Sequence, residues 1–205
     1  MIIDYLDGSA PADLQADLCI VGAGPAGIAI ARAFAGSSTT VCLIEGGGLA
    51  GEDRSQSLYE GGSTGDLPFD AGTSRMRVFG GSCTLWGGGC IPFADSDFEP
   101  RDWVPDSGWP LRFADLAPWY ERAREFCRID ASHGFGPGAF DGPPPRRPLD
   151  LDAGELVNFI FARSPITFGE AYREELHQAP NITVLLHANV MELESSADAS
   201  VVTGA

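Results

Sequence analysis

An α/β fold built on a parallel sheet is what this sequence predicts, and three observations predict it. Two short apolar runs, Asp17-Leu18-Cys19-Ile20-Val21-Gly22 and Thr40-Val41-Cys42-Leu43-Ile44-Glu45, have the unbroken hydrophobicity of strands buried on both faces. Between them, Pro25 to Ala35 is an alanine-rich stretch with the composition of a helix. A glycine pattern, Gly22-Ala23-Gly24-Pro25-Ala26-Gly27, joins the first strand to that helix.

Pro25 suits the first helical turn, where its missing N–H costs nothing, and the helix runs out at Gly36-Ser37-Ser38. Residues 16–46 then form a βαβ unit of about 30 residues, a length that all but requires a right-handed crossover. Within it, the spacing Gly22, Gly24, Gly27 has a physical meaning. The first glycine permits the tight turn, the second lets backbone approach a pyrophosphate, and the third allows close helix–strand packing. The N-terminus of the helix adds unpaired N–H groups and a partial positive charge. Glu45, about twenty residues on, is placed to accept hydrogen bonds from ribose hydroxyls. Only Gly46-Gly47-Gly48 follows it, so a 2′-phosphate would meet a carboxylate and no local arginine. The expectation is a Rossmann-type dinucleotide site. This unit alone leaves FAD and NAD both open.

Beyond Gly46 the periodicity disappears as far as Pro92, with one short basic stretch at Arg75-Met76-Arg77. Loops of that length usually wrap a ligand or are disordered. A nicotinamide dehydrogenase would instead continue in regular alternation of strand and helix. The loop at 72–92 contains Gly80-Gly81-Ser82-Cys83-Thr84-Leu85-Trp86-Gly87-Gly88, two small-residue runs flanking a tryptophan. That pattern suits backbone passing close to a second flat or phosphorylated part of one long cofactor. A helix is expected from Ala114 to Cys127, with Leu116, Trp119, Tyr120, Ala123 and Phe126 on one stripe. Residues 131–150, rich in glycine and proline, are expected to be a linker. Leu151 to Ala162 and Phe168 to Gln178 are expected helices, the second turning Ala171, Tyr172 and Leu176 inward. Strands are expected at Asn181 to Leu186 and Asn189 to Glu194, and a further one begins at Ser200.

The domain reading is therefore a dinucleotide-binding region over 1–130, the linker over 131–150, and a continuation of the binding domain over 151–205. A formal charge of −16 argues against nucleic acid or an anionic membrane as partner. Its five cysteines form no CxxC pair and its three histidines do not cluster with them, so a zinc or iron–sulfur site has little support and no metal ligand is expected. Cys19 and Cys42 read as small core residues, and an odd cysteine count fits a reducing compartment. With no leader pattern at Met1 to Asp7 and no apolar run near the ~20 residues of a membrane span, a cytoplasmic protein is expected.

The strand–Gly22-Ala23-Gly24-Pro25-Ala26-Gly27–helix unit, the strand ending Leu43-Ile44-Glu45-Gly46-Gly47, and Phe79-Gly80-Gly81-Ser82-Cys83-Thr84-Leu85-Trp86-Gly87-Gly88 together resemble the glucose–methanol–choline (GMC) oxidoreductases. Further likeness lies in Ser107-Gly108-Trp109-Pro110, in Asp115-Leu116-Ala117-Pro118-Trp119-Tyr120, and in Phe168-Gly169-Glu170-Ala171-Tyr172. The nearest branch is the one holding pyranose oxidase and the bacterial sugar dehydrogenases. The resemblance implies FAD, with its ADP half on Gly22, Gly24, Ala26 and Glu45, and Gly80, Gly81 and Ser82 along the pyrophosphate. It puts Trp86, Gly87 and Gly88 near the isoalloxazine and the Val190 backbone at the adenine. Pro25, Gly27, Gly46 and Leu85 complete the candidate cofactor-binding set. Pyranose oxidase attaches its flavin through a histidine at the position of Leu85, so FAD here is expected to be held non-covalently.

The resemblance also implies what a complete enzyme would do: oxidise the CH–OH group of an alcohol, polyol or sugar by hydride transfer to the flavin. It would then pass electrons to an acceptor partner. The family's catalytic histidine comes from a C-terminal part, and none of His133, His177 and His187 matches its motif. The expectation is a fold incomplete at the C-terminus, lacking a substrate domain and the sheet strand beside Leu18, and catalytically silent alone. The rival reading is a non-catalytic dinucleotide-binding or complementation module paired with a separate substrate-domain polypeptide.

Overall fold

The computed structural model describes every residue except 9, 12, 66–68, 131–148, 150, 152–157 and 159–160. The expected linker, Leu149 apart, and most of the helix expected over 151–162 lie outside the described residues. Along the chain run β1 (Ile2–Asp4), β2 (Leu18–Val21), α1 (Pro25–Ala33), β3 (Val41–Ile44), α2 (Asp53–Gln56) and α3 (Ala71–Ser74). There follow β4 (Gly89–Cys90), α4 (Asp95–Phe98), α5 (Phe113–Phe126), β5 (Ala162–Arg163), α6 (Phe168–Gln178), β6 (Ile182–Leu186), β7 (Glu194–Ser195) and β8 (Val202–Gly204). They form two compact units, one of Met1–Trp86 with Thr167–Ala205 and one of Gly87–Ile166.

The first unit is an α/β layer structure on a four-stranded, wholly parallel sheet ordered β1-β6-β3-β2. Ile20, Leu43, Val184 and Ile2 stand in register across it. Leu43 and Val184 are wholly buried, as are Ile28 and Leu176 from the helices, each such side chain stabilising the fold by roughly 1.5–3 kcal/mol. Helices α1 and α6 touch one another, α1 lying on β2 and β3 and α6 on β6, so they share one face of the sheet.

The other face is less well covered. Cys19 is exposed and Val21 is 59 % exposed, which corrects the expectation of a strand buried on both sides and of Cys19 in the core. The reason is position: β2 is the sheet's edge, and its odd residues point away from α1. Cys42, in register with Cys19 one strand inward, is buried as expected.

Asn181 explains where α1 stops. Its side-chain amide donates to the carbonyls of Phe34 and Thr39 at 2.8 and 2.7 Å, and its Oδ1 accepts from the Gly36 N–H at 2.9 Å. One side chain at the head of β6 thereby satisfies the open carbonyl end of a helix far away in sequence. Arg32, in the last turn of α1, donates to Glu175 of α6 at 2.8 Å and lies over the Tyr172 ring.

Two further expectations need correction. Asn189 to Leu193 form no strand, because the chain turns back through a left-handed His187 (φ 54°) and only Glu194–Ser195 pairs, antiparallel, with Val202–Gly204. Ala162, expected to end a helix, lies in β5, which pairs antiparallel with β4 in the second unit. In that unit, α5 begins with the Asp115 carboxylate accepting from the Arg112 N–H at 2.9 Å. Its apolar stripe has no buried residue among those described; Ala123 is exposed and Trp119 is 57 % exposed. Periodicity reports which face of a helix is apolar and says nothing of what covers it. Phe93, Phe98 and Trp109 cluster nearby, ring centres 5.6–6.3 Å apart.

Candidate functional site: a glycine-lined cleft

At the end of β2 the chain turns through Gly22 (φ +95°) and the wholly buried Ala23, and enters α1 at Pro25 with Ala26 next in its first turn. Gly27 is needed for packing: a Cβ there would stand 2.0 Å from the Gly22 carbonyl oxygen. Gly24 is different. Its backbone is extended, with ordinary φ, and a Cβ would meet no atom of the protein within 4 Å. What glycine provides at this position is room in the cleft.

Glu45, directly after β3, faces the same turn. One carboxylate oxygen accepts from the Ala23 N–H at 2.8 Å and the other from the Gly47 N–H at 2.9 Å. Its main chain is held as well, its N–H donating to Leu185 and its carbonyl accepting from Ala188 at 3.0 Å. The side chain is thus buried and fixed in direction, while each carboxylate oxygen keeps a free lone pair.

The second glycine patch closes on the first. The Gly80 N–H donates to the Ala23 carbonyl at 2.8 Å, and Gly81 stands against the Gly24 backbone. Gly80 is left-handed (φ +102°) and presses on the first turn of α6, where a Cβ would lie 2.8 Å from the Gly169 nitrogen. No other residue fits there without moving the loop. Ser82 follows in a 3₁₀ turn, its hydroxyl accepting from the Met76 N–H at 3.1 Å.

Together these elements enclose a cleft of about 510 Å³, within the ordinary range for a small-molecule site. Gly22, Gly24, Glu45, Gly46, Gly81, Ser82 and Val190, all read from the sequence as cofactor-binding, line it. The sequence reading missed Tyr59, Met76 and Asn189, and above all Arg75 and Arg77. Arg77 donates through its Nη2 to the Asn189 side-chain oxygen and lies 5.2 Å from the Tyr59 ring centre. Its Nε is buried without a hydrogen-bond partner among the described residues. No arginine directly follows Glu45, as the sequence shows, and the cations of its cleft come instead from another loop, at Arg75 and Arg77. The basic stretch at 75–77, set in a glycine-rich loop, was the available signal.

Other candidate residues lie elsewhere. Leu85 is exposed, and Trp86 packs at a tilt on Phe168 with ring centres 5.5 Å apart. Gly87 and Gly88 open the second unit, where a Cβ on Gly88 would strike the Ser164 carbonyl oxygen at 2.4 Å. Cys83 is half-buried. His133 falls outside the described residues, and His177 is exposed on α6. Both ring nitrogens of His187 face carboxylates, Asp4 at 2.7 Å and Glu52 at 2.9 Å. Among the described residues no group of His, Cys, Asp and Glu is arranged to hold a metal ion, and no helix is long and apolar enough to cross a membrane.

No protein-family model and no curated protein sequence matches the chain. Solved structures do match it. A fungal aryl-alcohol oxidase superposes with a TM-score of 0.50 at 14 % identity, over 88 % of this chain and 40 % of that one. Pyridoxine 4-oxidase from Mesorbium loti gives 0.48 at 18 % identity, over 89 % and 44 %. A formate oxidase from Aspergillus oryzae, studied for FAD modification, gives 0.44 at 17 %, over 91 % and 41 %. At 14 % identity the likeness to the aryl-alcohol oxidase is one of fold, and the chain spans less than half the length of each of these structures.

Proposed function

We propose that this chain is the dinucleotide-binding portion of an FAD-dependent oxidoreductase of the GMC type, one that oxidises an alcohol or sugar. The single observation that carries the reading is the meeting of Glu45, the Gly22–Gly27 turn and the Gly80–Gly81 turn on Ala23, around a cleft that Arg77 also lines. A site for the ADP half of a dinucleotide needs those features: an oriented carboxylate for ribose hydroxyls, backbone without side chains for the pyrophosphate, and a cation for its charge.

The residues present fit such a group. Glu45 has lone pairs to spare after Ala23 and Gly47, Gly24 keeps its Cβ-sized space clear, and the buried Nε of Arg77 lacks an acceptor that a phosphate oxygen would supply. The first turn of α1 adds N–H groups and positive potential. When bound, FAD would supply the hydride acceptor for oxidation of the CH–OH donor. Leu85 stands where the covalent branch has its histidine, which supports non-covalent retention. Membership of the pyranose oxidase branch rests on the sequence resemblance alone. The rival reading, a module completed by another polypeptide, is favoured by the place of β2, which among the described residues stands at the edge of the sheet.

Calorimetric titration of the purified chain with FAD, ADP and NAD tests the reading. FAD and ADP should compete for one site, and artificial acceptors should show no alcohol turnover. Failure of both nucleotides to bind would overturn the proposal.

A further inference from the structure

His187 sits immediately before the stretch that walls the cleft, and its surroundings are unusual. The side chain is buried to 8 % exposure between two carboxylates from different parts of the chain, Asp4 at the end of β1 and Glu52 ahead of α2. Gly48 meets the ring with backbone, its Cβ direction pointing 2.7 Å from Nε2, and Arg77 faces Asn189 instead of the ring. Among the described residues, the charged groups on the imidazole are Asp4 and Glu52. Nδ1 lies 2.7 Å from one and Nε2 2.9 Å from the other. A neutral imidazole carries one N–H, so it can satisfy one carboxylate while turning a lone pair on the second. Only the imidazolium donates to both.

The consequences run into the cleft. His187 adopts a left-handed backbone (φ 54°), a conformation with an energetic cost for a residue other than glycine. Its N–H donates to the Gly47 carbonyl at 3.0 Å, and the next N–H, of Ala188, donates to the Glu45 carbonyl at 3.0 Å. Asn189 then accepts from Arg77, and Val190 lines the cleft. A side chain that holds position 187 holds this wall.

We propose that the His187 imidazolium is a proton-operated clasp, pinning the Ala188–Val190 wall of the cleft to Asp4 and Glu52 and releasing it when the proton leaves. Burial pulls the His187 pKa down, and the hydrogen bonds and charges of Asp4 and Glu52 more than offset that, leaving it above the ordinary histidine value. A raised histidine contributes its full stabilisation below the unfolded pKa of about 6.5 and loses it as pH rises through the folded value. Asp4, opposed by burial, is nonetheless lowered by its bonds to His187 and the Leu6 N–H, so its share is lost only on the acid side. The clasp is thus closed below the raised His187 pKa and opens as the pH rises through it.

The test uses the whole chain and two independent measurements. Amide hydrogen exchange at His187 and Ala188, expressed as protection relative to the free peptide, is followed from about pH 6 to about pH 9 beside an NMR titration of the imidazole. Protection should fall by up to about tenfold per pH unit above a midpoint shared with the imidazole. Replacement by His187→Asn, which tolerates the left-handed backbone, should abolish the pH dependence. Glu52→Gln should move the midpoint downward and serves if the asparagine variant fails to fold. Flat protection while the imidazole titrates, or the same profile in both variants, would overturn the clasp. A parallel titration with ADP rests on the functional reading above: its affinity should weaken over the same pH range. Absence of ADP binding at every pH counts against that reading, and the exchange data still decide the clasp.

Discussion

The backbone carbonyl of Ala23 accepts a hydrogen bond from the N–H of Gly80 at 2.8 Å, joining two glycine-rich turns that lie far apart in the sequence. The N–H of the same alanine donates to Glu45. Ala23 has no functional side chain, yet both of its polar backbone groups are spent on fixing the cleft. Buried backbone groups must be paired, and here the pairing assembles the site.

Two neighbouring glycines should respond in opposite ways to the same substitution. Gly27→Ala forces a Cβ against the Gly22 carbonyl and should destabilise the fold by about 2–3 kcal/mol, read from the denaturant midpoint. Gly24→Ala meets open space with a permitted backbone and should leave stability unchanged or slightly higher. It should nonetheless abolish FAD and ADP binding. A Gly24→Ala variant that binds nucleotide normally would remove the pyrophosphate from this position.

Glu45→Gln keeps the shape and removes the symmetry of acceptors. One of the two N–H donors, Ala23 or Gly47, would then face an amide N–H₂ group. The expected cost is about 1–3 kcal/mol in thermal or denaturant unfolding, with weakened ADP binding measured separately. Equal loss for adenosine and ADP would place the effect at the ribose.

Arg77→Met should act on charge. ADP affinity should drop about tenfold or more, while adenosine, which has no phosphate, binds as before. Arg77→Lys should recover only part of the loss, because an ammonium lacks the planar guanidinium fork. Stability toward unfolding should fall by about 1 kcal/mol, since the Nη2 bond to Asn189 is lost.

Cys19 and Cys42 are neighbours in register and should differ sharply in reactivity. Burial, with the adjoining Cys19, pushes the Cys42 thiol up to about 11, and Cys42 is enclosed. Burial raises Cys19 as well, yet it is exposed on the sheet edge. Alkylation at about pH 8 followed by peptide mass mapping should label Cys19 slowly and leave Cys42 unlabelled in the native protein. Fast labelling of Cys42 would mean that the sheet opens readily.

Much of the first unit was legible because its signals are local. The apolar runs at 18–21 and 41–44, the helix at Pro25 and the helix and strand at 168–186 each announce themselves within a few residues. Three-residue β1 is too short to show a period, and the exposure of Cys19 depends on which strand ends the sheet. The stripe on α5 was visible, and its lack of cover was not. Among the site residues, Gly22, Gly24 and Glu45 follow from spacing, whereas Arg77 and Asn189 enter through contacts between distant segments.

What the sequence determined by itself is the turn-and-acid motif: glycines at fixed offsets, a proline that starts the helix, and a carboxylate at the next strand's end. Steric limits on the backbone act between neighbours, so that much is written locally. Only the tertiary structure decided that the 80–82 turn closes on Ala23, that Arg77 comes to line the same cleft as Glu45, and that Asp4 and Glu52 grip one histidine. Each of those depends on hydrogen bonds and charges brought within about 3 Å by packing, and no pattern along the chain records which distant partners will meet.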